Sequence, residues 1–235
     1  MAWLSSGSSN AGLIKNLASN GLITSERVKN AMLSVDRAHF SPYAPYTDSP
    51  QTIGYGATIS APHMHASAAE SLLPYLSRPD ARVLDVGSGS GYLTAVLAAL
   101  VPDRGRVIGI DHIQGLVDLA TNNMAKSEQG KQWMESQKVK FVKGDGRLGY
   151  TGDKEIFSGK GEEGGDGYDA IHVGAAAKEA HEVLLKQLRR PGRLFIPVGE
   201  ESQYIWIIDK REDGSVVREK SFGVRYVPLT DAPKD

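Results

Sequence analysis

The residues with the clearest chemical meaning form a glycine-rich stretch at positions 83–93, with the sequence VLDVGSGSGYL. Its apolar first half predicts a buried strand, and the uninterrupted Ala/Leu-rich segment 93–100 predicts a helix. Gly87, Gly89 and Gly91 between them allow a tight turn and a close approach of the backbone to a ligand. Such a turn presents backbone N–H groups to the crevice at the carboxyl ends of parallel strands, where α/β proteins bind ligands.

The spacing of these glycines separates two classes of ligand. A dinucleotide-binding turn requires G-x-G-x-x-G, whereas this chain has G-x-G-x-G with Tyr92 at the sixth position. Asp85 places a carboxylate just before the turn, which would repel a pyrophosphate but suits a ligand with a cationic amine. The pattern resembles the first motif of class I S-adenosylmethionine-dependent methyltransferases. By itself it is equally compatible with a glycine-rich turn in another α/β protein.

Two further acids follow predicted strands. Asp111 ends the apolar segment 107–111, and a carboxylate there can accept hydrogen bonds from both hydroxyls of a ribose. Asp145 and Gly146 follow the segment 139–143, where a carboxylate and an N–H group could reach an adenine edge. Each acid alone also suits an ordinary turn. Three successive strand ends with an acid near a glycine are better explained by one binding crevice.

Composition excludes several classes of function. The chain has 235 residues, a net charge of −1 and no cysteine, which excludes disulfides, thiolate metal sites and cysteine nucleophiles. No basic stripe is present, so we expect no nucleic-acid partner. No apolar run of about 18 residues and no signal-peptide pattern is visible, so we expect no membrane partner and a cytosolic location.

The positions of these motifs predict an α/β fold, with a doubly wound, mostly parallel sheet, N-terminal helices and a C-terminal antiparallel hairpin. We expect one domain over residues 1–235, made of an N-terminal helical segment (1–80), a βα core (81–200) and C-terminal strands (201–235). Outside the segments already named, the predicted helices are 10–20, 25–35, 63–76 and 178–188. The remaining predicted strands are 168–173, 193–198, 204–209, 216–221 and 224–229.

Two segments are predicted to be irregular. Residues 39–56, rich in Pro, Tyr and Gly, predict a loop, and 57–62 a turn into the next helix. Residues 149–167 are so polar that we expect a surface insertion with little to bury. Replacing 153–166 by a short Gly/Ser link is therefore expected to change stability little.

Several longer segments resemble the protein-L-isoaspartate (D-aspartate) O-methyltransferase family. The similarity covers nearly the whole chain, and TISAPHMH at 58–65 is its most specific element. The insertion at 149–167 is longer than expected for the family. The matching segments are 48–51, 57–65, 83–94, 107–112, 144–147, 168–177 and 226–231.

The resemblance implies a repair methyltransferase that transfers a methyl group from S-adenosylmethionine to the free carboxyl of L-isoaspartyl or D-aspartyl residues in aged proteins. It leaves S-adenosylhomocysteine as product, and we expect a monomer without a metal. The resemblance places Ser60 beside the transferred methyl group as the catalytic residue. With the acids and glycines above, the predicted cofactor site comprises Ala57, Thr58, Ile59, Ser60, His65, Asp85, Gly87, Ser90, Gly91, Asp111, His112, Asp145, Gly146 and Thr230.

The chemistry of such a reaction fits this set of residues. A carboxylate is already ionised at neutral pH, so its methylation needs no strong general base. A cation and an anion neutralise each other as the methyl group moves, so a dry, closed site favours the transition state. Positioning should supply most of the acceleration, and Ser60 can hydrogen-bond an oxygen without removing a proton.

Alternatives remain at this level. Ser60 precedes a predicted helix and could simply cap it. His63 and His65 lie two residues apart, so they do not face one another on a helix, and His112 and His172 could be ordinary buried histidines. A methyltransferase of another substrate, or a non-catalytic binding protein with the same fold, would carry the same cofactor motifs.

Overall fold

The computed structural model describes residues 5–153, 156 and 166–229, and a seven-stranded sheet forms the centre of this part of the chain. The strands are β1 Gln51–Gly54, β2 Ala57–Ile59, β3 Arg82–Val86, β4 Arg106–Asp111, β5 Val139–Lys143, β6 Tyr168–Val173, β7 Leu188–Val198, β8 Gln203–Lys210 and β9 Val216–Val224. Their order in the central sheet is β5-β4-β3-β6-β7-β8-β9. Strands β1 and β2 form a separate antiparallel pair.

The five strands from β5 to β7 run parallel, and β8 and β9 continue the sheet antiparallel. This arrangement confirms the predicted mostly parallel sheet with a C-terminal hairpin. The inner strands are almost wholly apolar because helices cover both faces of the sheet. Their sequence carries no alternation: β3 is apolar at 83, 84 and 86, and β4 at 107, 108 and 110, as expected for central strands.

The helices are α1 Asn10–Ser19, α2 Glu26–Ser34, α3 Pro62–Leu72, α4 Tyr92–Leu100, α5 Gln114–Met124, α6 Glu128–Glu135 and α7 Glu182–Lys186. Ser9 and Ser25 cap α1 and α2, where their hydroxyls accept hydrogen bonds from first-turn N–H groups. Pro62 begins α3 at the position where a missing N–H costs nothing. These boundaries confirm the first four predicted helices.

Two hydrophobic clusters lie on opposite faces of the sheet. Val83 and Val107 belong to the cluster that also contains α1 to α4, and the adjacent Leu84 and Ile108 belong to the cluster around α7. The N-terminal helices pack against α4 rather than extending the sheet, which buries all but one residue of α4. This extra layer brings the chain that connects α2 to α3 next to the start of α4.

Three sequence predictions are wrong in detail. Residues 51–59 form the β1–β2 hairpin instead of a loop and a turn. The helix expected at 178–188 is only Glu182–Lys186, because β7 already begins at Leu188, where it pairs with Tyr168 of β6. Of the strand expected at 224–229, only Val224 lies in the sheet, as the last residue of β9, and residues 225–229 do not form a strand. Pro228 lacks an N–H group for a ladder, and this segment instead exchanges backbone bonds with Ala176.

The insertion also departs from the prediction that it buries little. Ile156 is fully buried in the cluster around α7, and its carbonyl oxygen accepts a hydrogen bond from the Arg82 side chain at 2.9 Å. Asp153 is buried as well. An apolar pair, Ile156 and Phe157, inside a long polar segment gives no periodic signal, so the sequence alone could not show that Ile156 packs. Replacing the whole of 153–166 is therefore expected to destabilise the protein.

We expect Ile156→Ala to lower the free energy of unfolding by about 2–5 kcal/mol, because it leaves a cavity in a packed cluster. Leu148→Ala serves as a matched control, since Leu148 is 63% exposed and its truncation should change stability by less than about 0.5 kcal/mol. Urea unfolding followed by circular dichroism measures both variants. Equal stability of Ile156→Ala and the wild type would show that Ile156 does not contribute to the packed cluster and that the insertion is a surface loop.

Candidate active site

The candidate site lies at the carboxyl ends of β3 and its two neighbours. Strand order reverses here, because the chain moves from β3 outward to β4 and β5 and then returns to β6 on the other side of β3. Such a reversal opens a crevice between the loops that follow the strands. Gly87, Gly89 and Gly91 have φ values of 73°, 52° and 84°, a region that favours glycine. The predicted glycine turn is confirmed.

A cavity of about 400 Å³ occupies this crevice. Its volume falls in the range of roughly 300–1,000 Å³ that is usual for small-molecule sites. The sequence-predicted residues that line it are Ala57, Thr58, Gly87, Asp111, His112, Asp145 and Gly146. The other lining residues are Tyr55, Gly56, Val86, Gly89, Ile110, Ile113, Leu116, Gly174, Ala175, Val227, Pro228 and Leu229.

Asp111 stands at the end of β4 with its carboxylate held by two backbone groups. One oxygen accepts from the Gly89 N–H at 3.2 Å and the other from the Ile113 N–H at 3.1 Å. Burial raises the pKa of this carboxyl, and the hydrogen bonds from Ile113 and Gly89 oppose that rise. Each oxygen keeps further acceptor capacity. Asp111 can therefore offer two fixed oxygens to a pair of hydroxyl groups in the cavity.

Asp145 is held differently, by the guanidinium of Arg147. The Arg147 Nη2 and an oxygen of Asp145 are 2.7 Å apart, and Nε of the same arginine contacts both oxygens. The hydrogen bonds from Arg147 lower the pKa of Asp145. Asp145 remains a carboxylate at neutral pH, in an orientation set by its neighbour two residues on. Gly146 comes so close to Val86 that a Cβ there would be 2.3 Å from the valine.

A second, smaller cavity of about 30 Å³ adjoins the first one, and we refer to it as the small chamber. The sequence-predicted residues lining it are Thr58, Ile59, Ser60, His65, Asp85, Gly87 and Ser90. The other lining residues are Ser88, Gly89, Tyr92, Leu93, His172 and Gly174. The Ser88 hydroxyl is buried and has no hydrogen-bond partner among the described residues, as expected of a group that faces a ligand.

Asp85 is almost fully buried at the end of β3, and each of its oxygens already has a partner. Oδ1 lies 2.8 Å from Nδ1 of His172, and Oδ2 accepts from the Thr94 hydroxyl at 2.6 Å. Strands β3 and β6 are paired at these two positions, since Asp85 lies opposite His172. The pair holds His172 against Phe195, with ring centroids 5.8 Å apart. Asp85 therefore lines the small chamber as one half of a fixed Asp–His pair.

Ser60 is not a helix cap. The residue at the N-cap of α3 is Ala61, and the first-turn N–H of His63 donates instead to the buried carboxylate of Asp48 at 3.0 Å. The same Asp48 oxygen contacts Nδ1 of His63 at 2.8 Å. The Ser60 side chain lies near the hydroxyl of Tyr226; burial raises the pKa of Tyr226 to about 12, and Ser60 opposes that rise. The Ser60 hydroxyl thus faces the small chamber beside a residue distant in sequence.

A buried arginine lies beneath Ser60 and His65. Arg37 has no exposed surface, and its guanidinium donates to the Ser60 carbonyl oxygen at 2.7 Å and contacts Nδ1 of His65 at 3.1 Å. It also lies 5.0 Å from the centre of the Tyr92 ring. Burial lowers the pKa of Arg37 to about 10, so it stays charged at neutral pH.

One of the predicted site residues that the structure describes, Gly91, lies outside both cavities. Gly91 begins α4 and packs against Phe141 and Ala120, where a Cβ would be 3.0 and 3.1 Å from their side chains. Its place in the structure is in the turn and not on the cavity wall. Thr230 lies outside the described residues, although the segment just before it lines the large cavity.

Sequence reasoning missed Arg37, Tyr226 and Tyr55. An arginine normally indicates an exposed position, so no pattern identified Arg37 as buried. Tyr226 belongs to a segment expected to be a strand. Tyr55, in the turn of the β1–β2 hairpin, extends over Gly115 at the start of α5, where a Cβ would come within 2.4 Å of its ring. These contacts depend on chain segments that are far apart in sequence.

The site fits S-adenosylmethionine by several observations. The large cavity has the right size, and Asp111 presents two oxygens to it. The small chamber is lined by serine hydroxyls, and the buried hydroxyl of Ser88 has no partner among the described residues. Among the described residues, no group of three His, Cys, Asp or Glu side chains is placed to hold a metal ion. None of the described helices combines the length and hydrophobicity that a membrane span requires.

Comparisons with known proteins show which family this chain is similar to. A sequence profile of the family described as protein-L-isoaspartate(D-aspartate) O-methyltransferase (PCMT) matches residues 8–234. A protein-L-isoaspartate O-methyltransferase of Triticum aestivum is 46% identical over 223 residues, which are 94% of this chain and 91% of that protein. The protein of the same name from Caenorhabditis elegans is 46% identical over 234 residues, 98% of this chain and 96% of its own length.

A solved structure extends the similarity to three dimensions. It is a beta-aspartate methyltransferase (PCMT) from Plasmodium falciparum in complex with S-adenosyl-L-homocysteine, with a TM-score of 0.82 and 33% identity. The similarity covers 95% of this chain and 99% of the other. Fold and site thus define a class I S-adenosylmethionine-dependent methyltransferase. Within that class, the chain belongs to the protein-L-isoaspartate (D-aspartate) O-methyltransferase family.

Proposed function

We propose that this protein transfers the methyl group of S-adenosylmethionine to the free carboxylate of L-isoaspartyl and D-aspartyl residues in damaged proteins, leaving S-adenosylhomocysteine. The observation that carries the proposal is the joining of two cavities at the switch point of the sheet, one with the ribose-type carboxylate of Asp111 and one with Ser60. The family supplies the substrate class. The methyl ester formed is one that closes to a succinimide, and hydrolysis of that ring returns some normal aspartyl residue.

We assign cofactor binding to the residues that line the two cavities. Asp111 would hold the ribose, Asp145 and Gly146 the adenine, and His65 and Ser90 the amino-acid end. Ala57, Thr58 and Ile59 form the β2 wall between the large cavity and the small chamber. His112 and Gly87 line the large cavity, while Gly91 shapes the turn and Thr230 stays a prediction from the resemblance.

The bound cofactor supplies an electrophilic methyl group on a positively charged sulfur. An oxygen of the substrate carboxylate forms the new bond to carbon while the bond from sulfur to that carbon breaks, and no proton moves. The substrate arrives ionised, so the chain needs no base. Ser60, whose backbone carbonyl accepts a hydrogen bond from Arg37 and whose side chain lies near Tyr226, would orient the carboxylate. Walls such as Ile59 and Leu93 exclude water, which favours a step that neutralises two charges.

The test of this function compares two peptides that differ only at one residue. We expect labelled methyl to be incorporated into the L-isoaspartyl peptide roughly tenfold or more faster than into its normal aspartyl counterpart. The isoaspartyl linkage displaces the carboxylate by one methylene, and positional catalysis is sensitive to a shift of that size. Equal labelling of both peptides would indicate a general carboxyl methyltransferase, and labelling of neither would indicate a binding protein.

We also propose that the whole chain acts as one methyltransferase domain and as a monomer in the cytosol, without nucleic-acid or membrane partners. The residues that line the two cavities range from Tyr55 to Leu229, so the site draws on most of the described chain, as expected of one domain. The sequence has no cysteine and nearly balanced charge, which fits a reducing compartment and a protein-derived substrate.

A further inference from the structure

Arg37 is a buried charged group that the mechanism above uses only as support. It is fully buried in the short turn Arg37–His39 that follows α2. Asp48 attracts it through space, but the two form no ion pair, and the Nε atom has no partner among the described residues. Burying an arginine without a carboxylate partner is costly. Such a group calls for an explanation beyond packing.

The contact with His65 determines the state of that histidine. A guanidinium can only donate hydrogen bonds, so Nδ1 of His65 must carry the lone pair and Nε2 must carry the hydrogen. Burial holds the pKa of His65 well below its usual value, and the charge of Arg37 and the nearby His172 and His63 act in the same direction. The Tyr92 ring packs beside the imidazole, with the two ring centroids 5.1 Å apart. His65 is therefore a neutral donor at its Nε2 atom.

We infer that Arg37 is a positioning residue, which fixes His65 as a permanent Nε2–H donor to the small chamber so that the chamber accepts a carboxylate oxygen. His65 lines that chamber together with the hydroxyls of Ser60, Ser88 and Ser90. The acid on its wall, Asp85, already has a partner at each oxygen. Hydrogen-bond donors and a buried cation without an ion-pair partner favour an anion, and a chamber of about 30 Å³ admits only a small terminal group.

Two molecules of the proposed reaction carry such a group. One is the cofactor, through the carboxylate of its amino-acid end, and the other is the isoaspartyl peptide. The inference rests on the proposed function for the identity of the anion, but the tautomer of His65 can be measured without any ligand. The inference about Arg37 and the proposed function can therefore fail separately.

The first test is the tautomer itself, observed by nuclear magnetic resonance of protein labelled with ¹⁵N histidine. We expect His65 to show the neutral Nε2–H form at pH 6.5, where an ordinary histidine is half protonated. His65→Gln identifies the signal. In Arg37→Met the signal should become a mixture of tautomers or move to Nδ1–H. An unchanged Nε2–H signal in Arg37→Met would overturn the inference.

The second test measures binding of S-adenosylhomocysteine and of methylthioadenosine, which lacks the amino-acid end. We expect Arg37→Met to weaken S-adenosylhomocysteine about tenfold and to leave methylthioadenosine unchanged, as calorimetry can show. If the affinities for both ligands are unchanged while KM for the isoaspartyl peptide rises about tenfold, the chamber binds the substrate carboxylate instead. If both ligands weaken together with an earlier melt, Arg37 is only structural and the inference is wrong.

A double variant separates positioning from packing. A glutamine at position 65 can donate from its amide without help from Arg37, so Arg37→Met should have less than about a twofold effect in the His65→Gln protein. Equal effects in both backgrounds would contradict the inference. Arg27→Met is the matched control, since Arg27 also donates to a backbone carbonyl, that of Leu100 at 3.0 Å. Arg37→Lys keeps the charge but not the forked guanidinium, so its affinity for S-adenosylhomocysteine should lie between those of the wild type and Arg37→Met. If Arg37→Met does not fold, Arg37→Lys is used in its place.

Discussion

Asp111→Ala should bind S-adenosylhomocysteine about a hundredfold or more weakly than the wild type. Both oxygens of Asp111 are fixed by backbone donors and line the large cavity. Hydrogen bonds to a charged group contribute about 1.5–3 kcal/mol each, and every 1.4 kcal/mol is about tenfold in affinity. Losing the hydrogen bonds to two ribose hydroxyls together should therefore weaken the affinity by roughly two orders of magnitude. Isothermal titration calorimetry measures the effect.

Asp111→Asn is the matched control for the Asp111→Ala variant. It keeps one carbonyl oxygen of nearly the same shape and loses the charge, so its affinity should lie between those of the wild type and Asp111→Ala. Titration of the wild type with NAD should give no heat, because the glycine spacing does not suit a dinucleotide. Wild-type affinity in a folded Asp111→Ala protein would remove Asp111 from the site.

Ser60→Ala should lower the catalytic constant by about a hundredfold, with little change in melting temperature or in affinity for S-adenosylhomocysteine. The hydroxyl lies in the small chamber near Tyr226, and it does not cap α3. A hydrogen bond that orients an ionised carboxylate is of the order of 1.5–3 kcal/mol. Loss of an interaction made at the reacting group appears in the catalytic constant. Single-turnover methylation of an isoaspartyl peptide, with thermal melts, measures both quantities.

Ser9→Ala shows what the loss of a true cap looks like. Ser9 accepts the Gly12 N–H at 3.1 Å, so its removal should lower stability by about 1 kcal/mol and leave methylation normal. Ser60→Thr keeps the hydroxyl but adds a methyl group where two substrates meet, and should retain cofactor binding. If Ser60→Ala melted early and methylated at the wild-type rate, the catalytic assignment would have to be abandoned.

The candidate site could be predicted from sequence where its residues end strands. The glycine turn, Asp111 and Asp145 each follow a predicted strand, and parallel strands bring their carboxyl ends to one edge of the sheet. The local sequence therefore predicts both the strand and the position of the site residue at its carboxyl end. Ser60 and His65 came from the resemblance, because without it Ser60 is indistinguishable from a helix cap.

Other features could not be predicted because their cause is a contact between distant segments. The fate of residues 224–229 depends on Ala176, whose N–H and carbonyl bind Val227 and Leu229. The burial of Ile156 depends on its contact with the cluster around α7, and the polar segment in which Ile156 lies gives no sign of that contact. Hairpin β1–β2 consists of strands of four and three residues, too short to show a period.

By itself the sequence determined the parallel sheet, its antiparallel edge, the glycine turn and the family, because these depend on local periodicity and on motifs read along the chain. Only the tertiary structure decided that Asp48 rather than Ser60 caps α3, that Asp85 is engaged with His172, and that Arg37 is buried. The physical reason is the same in each case. A hydrogen bond is assigned by which donors and acceptors meet, and in this protein the partners lie 15, 87 and 28 residues apart.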